Sequence, residues 1–160
     1  PRSPGEICVR GYALMQGLHK CERESVFDAD GFYRTGDAGW VDEDGWLWFT
    51  GRLGEMVKTG GSNVTPAEVE AALLAYPEVL EAYVTGIPDA DRGQLVVAAV
   101  VPRAGHCVDG EALRVRLKAD LSAYKVPRHL WVCSKDQLPF TESGKLKKLE
   151  LARRITELFR

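Results

Sequence analysis

The sequence predicts an α+β chain in two parts: a small β-rich subdomain over residues 1–53, then a compact domain over residues 54–160 in which a small sheet is flanked by helices. Three observations carry that expectation. As far as residue 51, short apolar runs alternate with polar positions and are bounded by Gly, Asp and Pro, the period-two pattern of strands. From residue 54 onward, helix-period and strand-like runs alternate. A length of 160 residues, 45% of them hydrophobic, with a net charge of -2, suits one sizeable core or two small ones.

In chain order, GEICVRG and YALMQG read as short strands and HKCERESVFDADG as a polar connection. AGWVDEDGWLWFTG reads as a hairpin turning through Asp44-Gly45, its large side chains packed on a half-buried face. In NVTPAEVEAALLAYP, Thr65 and Glu68 have the spacing of a capping box, and Pro66 takes the first helical position. Val69, Ala72, Leu73 and Tyr76 form one face of that helix, which Pro77 ends. VLEAYVTG and LVVAAVV are strands, the second unbroken and so expected to be buried on both faces until Pro102 closes it. Asp109 caps a helix carrying Leu113, Leu117 and Leu121 on one side, stopped by Tyr124 and Pro127. HLWVC is a further strand, and Leu151, Ile155, Leu158 and Phe159 share a face of the terminal helix.

Composition removes several classes of function. A near-neutral charge argues against a nucleic-acid surface, which shows as a clustered basic excess. Cys8, Cys21, Cys107 and Cys133 are scattered, without a C-x-x-C pair, as expected of reduced cytoplasmic thiols rather than a zinc or redox site. No apolar run approaches the roughly 18 residues of a membrane span, and the opening PRSPGEICVRG is no signal peptide. The absence of an initial Met suggests a piece of a longer polypeptide. His19, His106 and His129 sit in unrelated contexts, and Asp42, Glu43 and Asp44 read as a hydrated hairpin tip, so no metal site is expected.

Four stretches have chemical potential. In TESGKLKK a Ser-Gly turn projects Lys145, a charge on a long stem able to reach a phosphate; the plain alternative is a solvated lysine before a helix. In MVKTGGSNV, Lys58 precedes Gly60 and Gly61, a pair that lets a thin ligand approach backbone, or that simply turns a hairpin into a helix. The G-x-x-x-x-G-K-[ST] spacing of a phosphate loop is absent. Asp37, in Tyr-Arg-Thr-Gly-Asp, can accept two hydrogen bonds from a vicinal diol, and Arg52 offers a planar fork of donors; each is equally a turn residue or half of an ion pair.

Taken together and in order, TGD, the DG seven residues on, GR, the K-x-x-G-x-x-V-x-P-x-E-V-E run and S-G-K closely resemble the C-terminal third of the adenylate-forming (AMP-binding) enzymes. That superfamily includes acyl-CoA synthetases, adenylation domains of peptide synthetases and firefly luciferase. The likeness extends from GEICVRG to the terminal helix, and GGSNVTPAEVE looks most like the acyl-CoA synthetase, or fatty-acid-CoA ligase, branch.

The resemblance implies an acid-thiol ligase that uses ATP and Mg2+ to convert a carboxylic acid, by this likeness a fatty acid, to an acyl-adenylate and then passes the acyl group to coenzyme A. It maps Asp37 to the ribose hydroxyls, Arg52 to the nucleotide beside it, and Lys145 to the lysine bridging carboxylate and α-phosphate. It places Lys58, Gly60 and Gly61 on the thiol-facing surface and Gly54 at the hinge, where Asp or Lys is usual. Residues 1–53 would then end the large N-terminal domain, whose phosphate loop, acyl pocket and most Mg2+ ligands lie outside this chain, and residues 54–160 would form a mobile lid. The chain alone is expected to be inactive. Two other readings remain open: an adenylation enzyme that loads a carrier protein, and a non-catalytic interaction module on the same fold.

Overall fold

A computed structural model describes residues 3–159, and the chain divides into two units, Pro1–Gly54 and Glu55–Arg160. In the first unit β1 (Gly5–Val9), β2 (Tyr33–Val41) and β3 (Leu47–Arg52) form an antiparallel sheet in the order β1-β2-β3. The β2–β3 turn is closed by its acidic tip. Asp42 Oδ1 accepts from Asp44 N and Trp46 N at 3.1 and 2.8 Å, and Oδ2 accepts from Trp48 Nε1 at 2.7 Å. These bonds, the Trp48 one foremost, hold the Asp42 carboxyl below its ordinary pKa.

Two expectations for this unit are corrected. YALMQG forms turns, with Leu14 N donating to Gly11 O, because among the described residues the segment meets no partner strand and Tyr12 is wholly exposed. The hairpin's aromatics are less covered than a half-buried face requires: Trp46, Trp48 and Phe49 are 70%, 52% and 60% exposed. Trp40 and Trp48, cross-strand partners, stack at 5.7 Å between ring centroids, so aromatic pairing stands in for burial.

The second unit contains β4 (Val57–Thr59), β5 (Ser62–Val64), β6 (Val79–Asp89), β7 (Gly93–Pro102) and β8 (His129–Val132). Their order is β5-β4-β7-β6, with β8 parallel to β7. A parallel neighbour requires a crossover, supplied here by α2 (Gly110–Asp120). The other helices are α1 (Pro66–Leu74) and α3 (Lys148–Leu158). β7 organises the unit, since its alternate residues feed two cores. Val96, Ala98 and Val100 pack with Val69 and Leu73 of α1 and Leu113 and Leu117 of α2. Val97, Ala99 and Val101 pack with Leu151 and Ile155 of α3. Leu73, Leu113, Leu117, Leu151 and Ile155 are fully buried, and each contributes about 1.5–3 kcal/mol relative to exposure.

The helix signals hold unevenly. Asp109 caps α2, its Oδ1 accepting from Glu111 N and Ala112 N at 2.9 and 3.2 Å. Thr65 occupies the cap position of α1 with Pro66 following, but no side-chain cap bond forms. The Glu68 carboxylate that would complete a capping box is drawn instead to Lys125 Nζ at 2.5 Å. α1 stops at Leu74, ahead of Pro77, and Leu158 is exposed while Phe159 stacks on His129 at 4.6 Å.

Candidate functional site

In the first unit the structure joins the two residues singled out for a nucleotide. Asp37 and Arg52 are cross-strand partners on β2 and β3, and Arg52 Nε donates to Asp37 Oδ1 at 2.8 Å. Thr35 sets the approach: its hydroxyl donates to Ile7 O at 2.7 Å and accepts from Asp37 N at 3.0 Å. The pair is solvent-accessible, the Arg52 and Asp37 side chains being 60% and 26% exposed, so its net worth to stability is small. Only one carboxylate oxygen is engaged by Arg52, which leaves the other able to accept from a diol.

Gly54 lies in a single 3-10 turn, Leu53–Glu55. It is not among the glycines with positive φ, and a Cβ there would meet nothing within 4 Å. The next residue, Glu55, is anchored to Lys148 Nζ of α3 at 2.5 Å.

The second unit presents two loops whose bases pack on opposite faces of its sheet. Val57 and Val64 close the β4–β5 hairpin and belong to the core beneath α1 and α2. Gly60 and Gly61 form its two-residue turn with φ of 55° and 78°, and positive φ at both central positions is what a type I′ turn demands. Turn geometry therefore accounts for both glycines, and the space around them is open. Lys58 is exposed on this hairpin.

Phe140 and Leu146 bridge at the base of the other loop and pack on the α3 side. Thr141 N donates to Lys145 O at 2.8 Å, Thr141 Oγ1 accepts from Lys145 N at 3.0 Å, and Gly144 takes φ of 77°. This tight loop carries Lys145 exposed at its end. Among the described residues, neither Lys58 nor Lys145 has a carboxylate partner. Nor, among those residues, does any group of three His, Cys, Asp or Glu converge as a metal site.

A cleft of about 630 Å³ beside Thr59 was not foreseen from sequence. Arg92, Arg114, Lys118, Arg128 and His129 line it, drawn from β6–β7, α2 and the approach to β8. Asp89 and Asp91 are also in the wall, Asp89 accepting from Asp91 N and Arg92 N, and Arg114 is paired with Glu111 at 2.7 Å. Burial, then Arg128 and Arg114, push the His129 pKa below its ordinary value, so the cleft's positive charge at neutral pH resides on Arg and Lys. No local motif could have announced it, because the cations come from three separate segments.

The second unit thus carries a lysine loop on one face of its sheet and a glycine hairpin on the other. Residues 68–145 match the AMP-binding enzyme C-terminal domain, and that stretch of the chain belongs to the family. It is 35% identical to oxalate–CoA ligase of Arabidopsis thaliana, over 98% of this chain and 30% of that protein. It is 41% identical to feruloyl-CoA synthase of an Amycolatopsis species, over 97% of this chain and 31% of that protein. The crystal structure of ATP-bound MatB from Rhodopseudomonas palustris superposes with a TM-score of 0.87 at 34% identity, over 99% of this chain and 32% of that one. The chain thus spans about 30% of the length of the curated relatives it matches.

Proposed function

We propose that this chain is the C-terminal portion of an AMP-forming acid–CoA ligase: residues 1–53 end the nucleotide-binding domain and residues 54–160 are its mobile lid. In the whole enzyme a carboxylate oxygen attacks the α-phosphorus of ATP, forming the acyl-adenylate and releasing pyrophosphate. The thiol of coenzyme A then attacks the acyl carbon, forming the thioester and releasing AMP. Residues of the preceding domain would hold most of the Mg2+, which would supply charge neutralisation at the phosphates.

The observation that carries this reading is the placement of two loops on opposite faces of one sheet. Rotation about Gly54 would exchange them over one bound substrate: Lys145 for adenylate formation, then the hairpin of Lys58, Gly60 and Gly61 for the thiol. Holding the acyl group still while the partner changes keeps the entropic advantage of a bound reactant through both steps. Asp37 would accept from the ribose hydroxyls, and Arg52, already fixed to Asp37, would donate to oxygens nearby.

Coenzyme A is favoured over a carrier protein by the cationic cleft beside Thr59, suited to the phosphates at the nucleotide end of that thiol. Lys118→Met and Arg128→Met should each raise KM for coenzyme A about 5–10-fold, roughly 1–1.4 kcal/mol, without altering pyrophosphate exchange. The effect should shrink with added salt; an unchanged KM assigns the acceptor's phosphates elsewhere. The acid is proposed to be fatty or otherwise apolar on the likeness of GGSNVTPAEVE to the acyl-CoA synthetase branch, while relatives at similar identity are named for oxalate and ferulate. Cytoplasmic operation fits four free cysteines, and among the described residues no helix is long and apolar enough to cross a membrane.

The isolated chain tests how much of the nucleotide site it holds. Asp37 and Arg52 contact only part of a nucleotide, so calorimetry should find ATP binding no tighter than roughly millimolar, about 4 kcal/mol. A micromolar dissociation constant would contradict the division of labour proposed here.

A further inference from the structure

We propose that Gln94 is a positioning residue for the acyl-transfer step: its side-chain amide, seated over Gly86, holds the Lys58 backbone and so fixes the β4–β5 hairpin. This rests on the reading of that hairpin as the thiol-facing surface.

β4 pairs with β5 at three positions but meets β7 only at Thr59↔Gly93. One residue earlier the ladder is continued by a side chain, as Gln94 Oε1 accepts from Lys58 N at 2.7 Å. One residue later, Gly60 N donates to Arg92 O at 2.9 Å. Lys58, Thr59 and Gly60 are therefore each tied to the start of β7, and only the Lys58 tie depends on a side chain.

Gly86 makes room for that tie. A Cβ at Gly86 would lie 3.1 Å from Gln94 Nε2, 3.2 Å from its Cδ and 3.0 Å from Val57 Cγ1. A methyl group there would require the Gln94 amide and the Val57 side chain to give by a few tenths of an ångström. An amide N–H without an acceptor beside a two-residue turn would let the hairpin twist, because its remaining bonds on this side sit at one end. The loop carrying Lys145 packs on the other face of the sheet, outside this network. Loss of Gln94 should consequently discriminate between the two half-reactions, which a general loss of stability would not do.

The experiment uses the full-length polypeptide containing this chain, with hydrogen exchange at the Lys58 amide as a readout independent of activity. Gln94→Leu should speed that exchange about tenfold and slow single-turnover transfer from pre-formed adenylate to coenzyme A about 5–10-fold, with pyrophosphate exchange changed less than about twofold. Gln94→Glu, which retains an acceptor oxygen, should restore both readouts. Should Gln94→Leu melt early, Gly86→Ala is expected to give the same split. Unchanged Lys58 amide exchange, or equal slowing of both half-reactions, overturns this inference alone. Faster amide exchange with untouched transfer overturns the hairpin's proposed role, and this inference with it.

Discussion

Lys145→Ala in the full-length enzyme is expected to suppress carboxylate-dependent pyrophosphate exchange by about three orders of magnitude, while thioester formation from supplied acyl-adenylate survives. The task proposed for the lysine is to offset negative charge building on the pentavalent phosphorus. A unit charge at 4 Å contributes about 4 kcal/mol at an effective dielectric near 20, and each 1.36 kcal/mol is a factor of ten in rate. The substitution should leave the loop intact, since Thr141, Gly144 and the Phe140–Leu146 bridge hold it through backbone and through groups other than the Lys145 side chain. Lys145 is exposed, so melting should not move. Equal losses in the two assays would refute the assigned role.

Gly54→Pro should separate the same half-reactions from the hinge side. If Gly54 is the pivot, the two steps require different backbone dihedrals there, and proline, locked near φ of about -65°, suits at most one. One half-reaction should stay close to its normal rate, and the other should fall at least about tenfold, some 1.4 kcal/mol of barrier. Gly54→Ala should be milder, because Gly54 has no positive φ and a Cβ there meets nothing within 4 Å. On that proposal Glu55, fastened to Lys148 of α3, would travel with its own unit. Proline slowing both steps alike, or neither, would move the pivot to another residue.

The parts legible in the sequence were those governed by neighbours along the chain. LVVAAVV declared itself as a doubly buried strand because residues alternating at period two must feed both faces, and Val96–Val101 do so. Asp109 was readable as a cap because it bonds to amides two and three residues on. Thr65 and Glu68 show how such a rule loses: a partner 57 residues away, Lys125, took the carboxylate the local motif needed. YALMQG had strand-like composition, but a strand also needs a neighbour, which composition does not report.

The candidate site divides in the same way. Asp37 and Arg52 belong to separate motifs, and the β2–β3 register brings them together. Gly60 and Gly61 were open to two readings, and their turn explains both without a ligand. The cleft at Arg92, Arg114, Lys118 and Arg128, and the bond from Lys58 N to Gln94, were invisible because they join segments that meet only through β7 and its neighbours.

Exchange of labelled pyrophosphate into ATP by the full-length polypeptide tests whether this chain completes an enzyme working through an acyl-adenylate. Exchange should require the carboxylic acid and proceed without coenzyme A, with net AMP formation once coenzyme A is added. Exchange independent of any acid, or acyl-CoA formed without AMP, would contradict it.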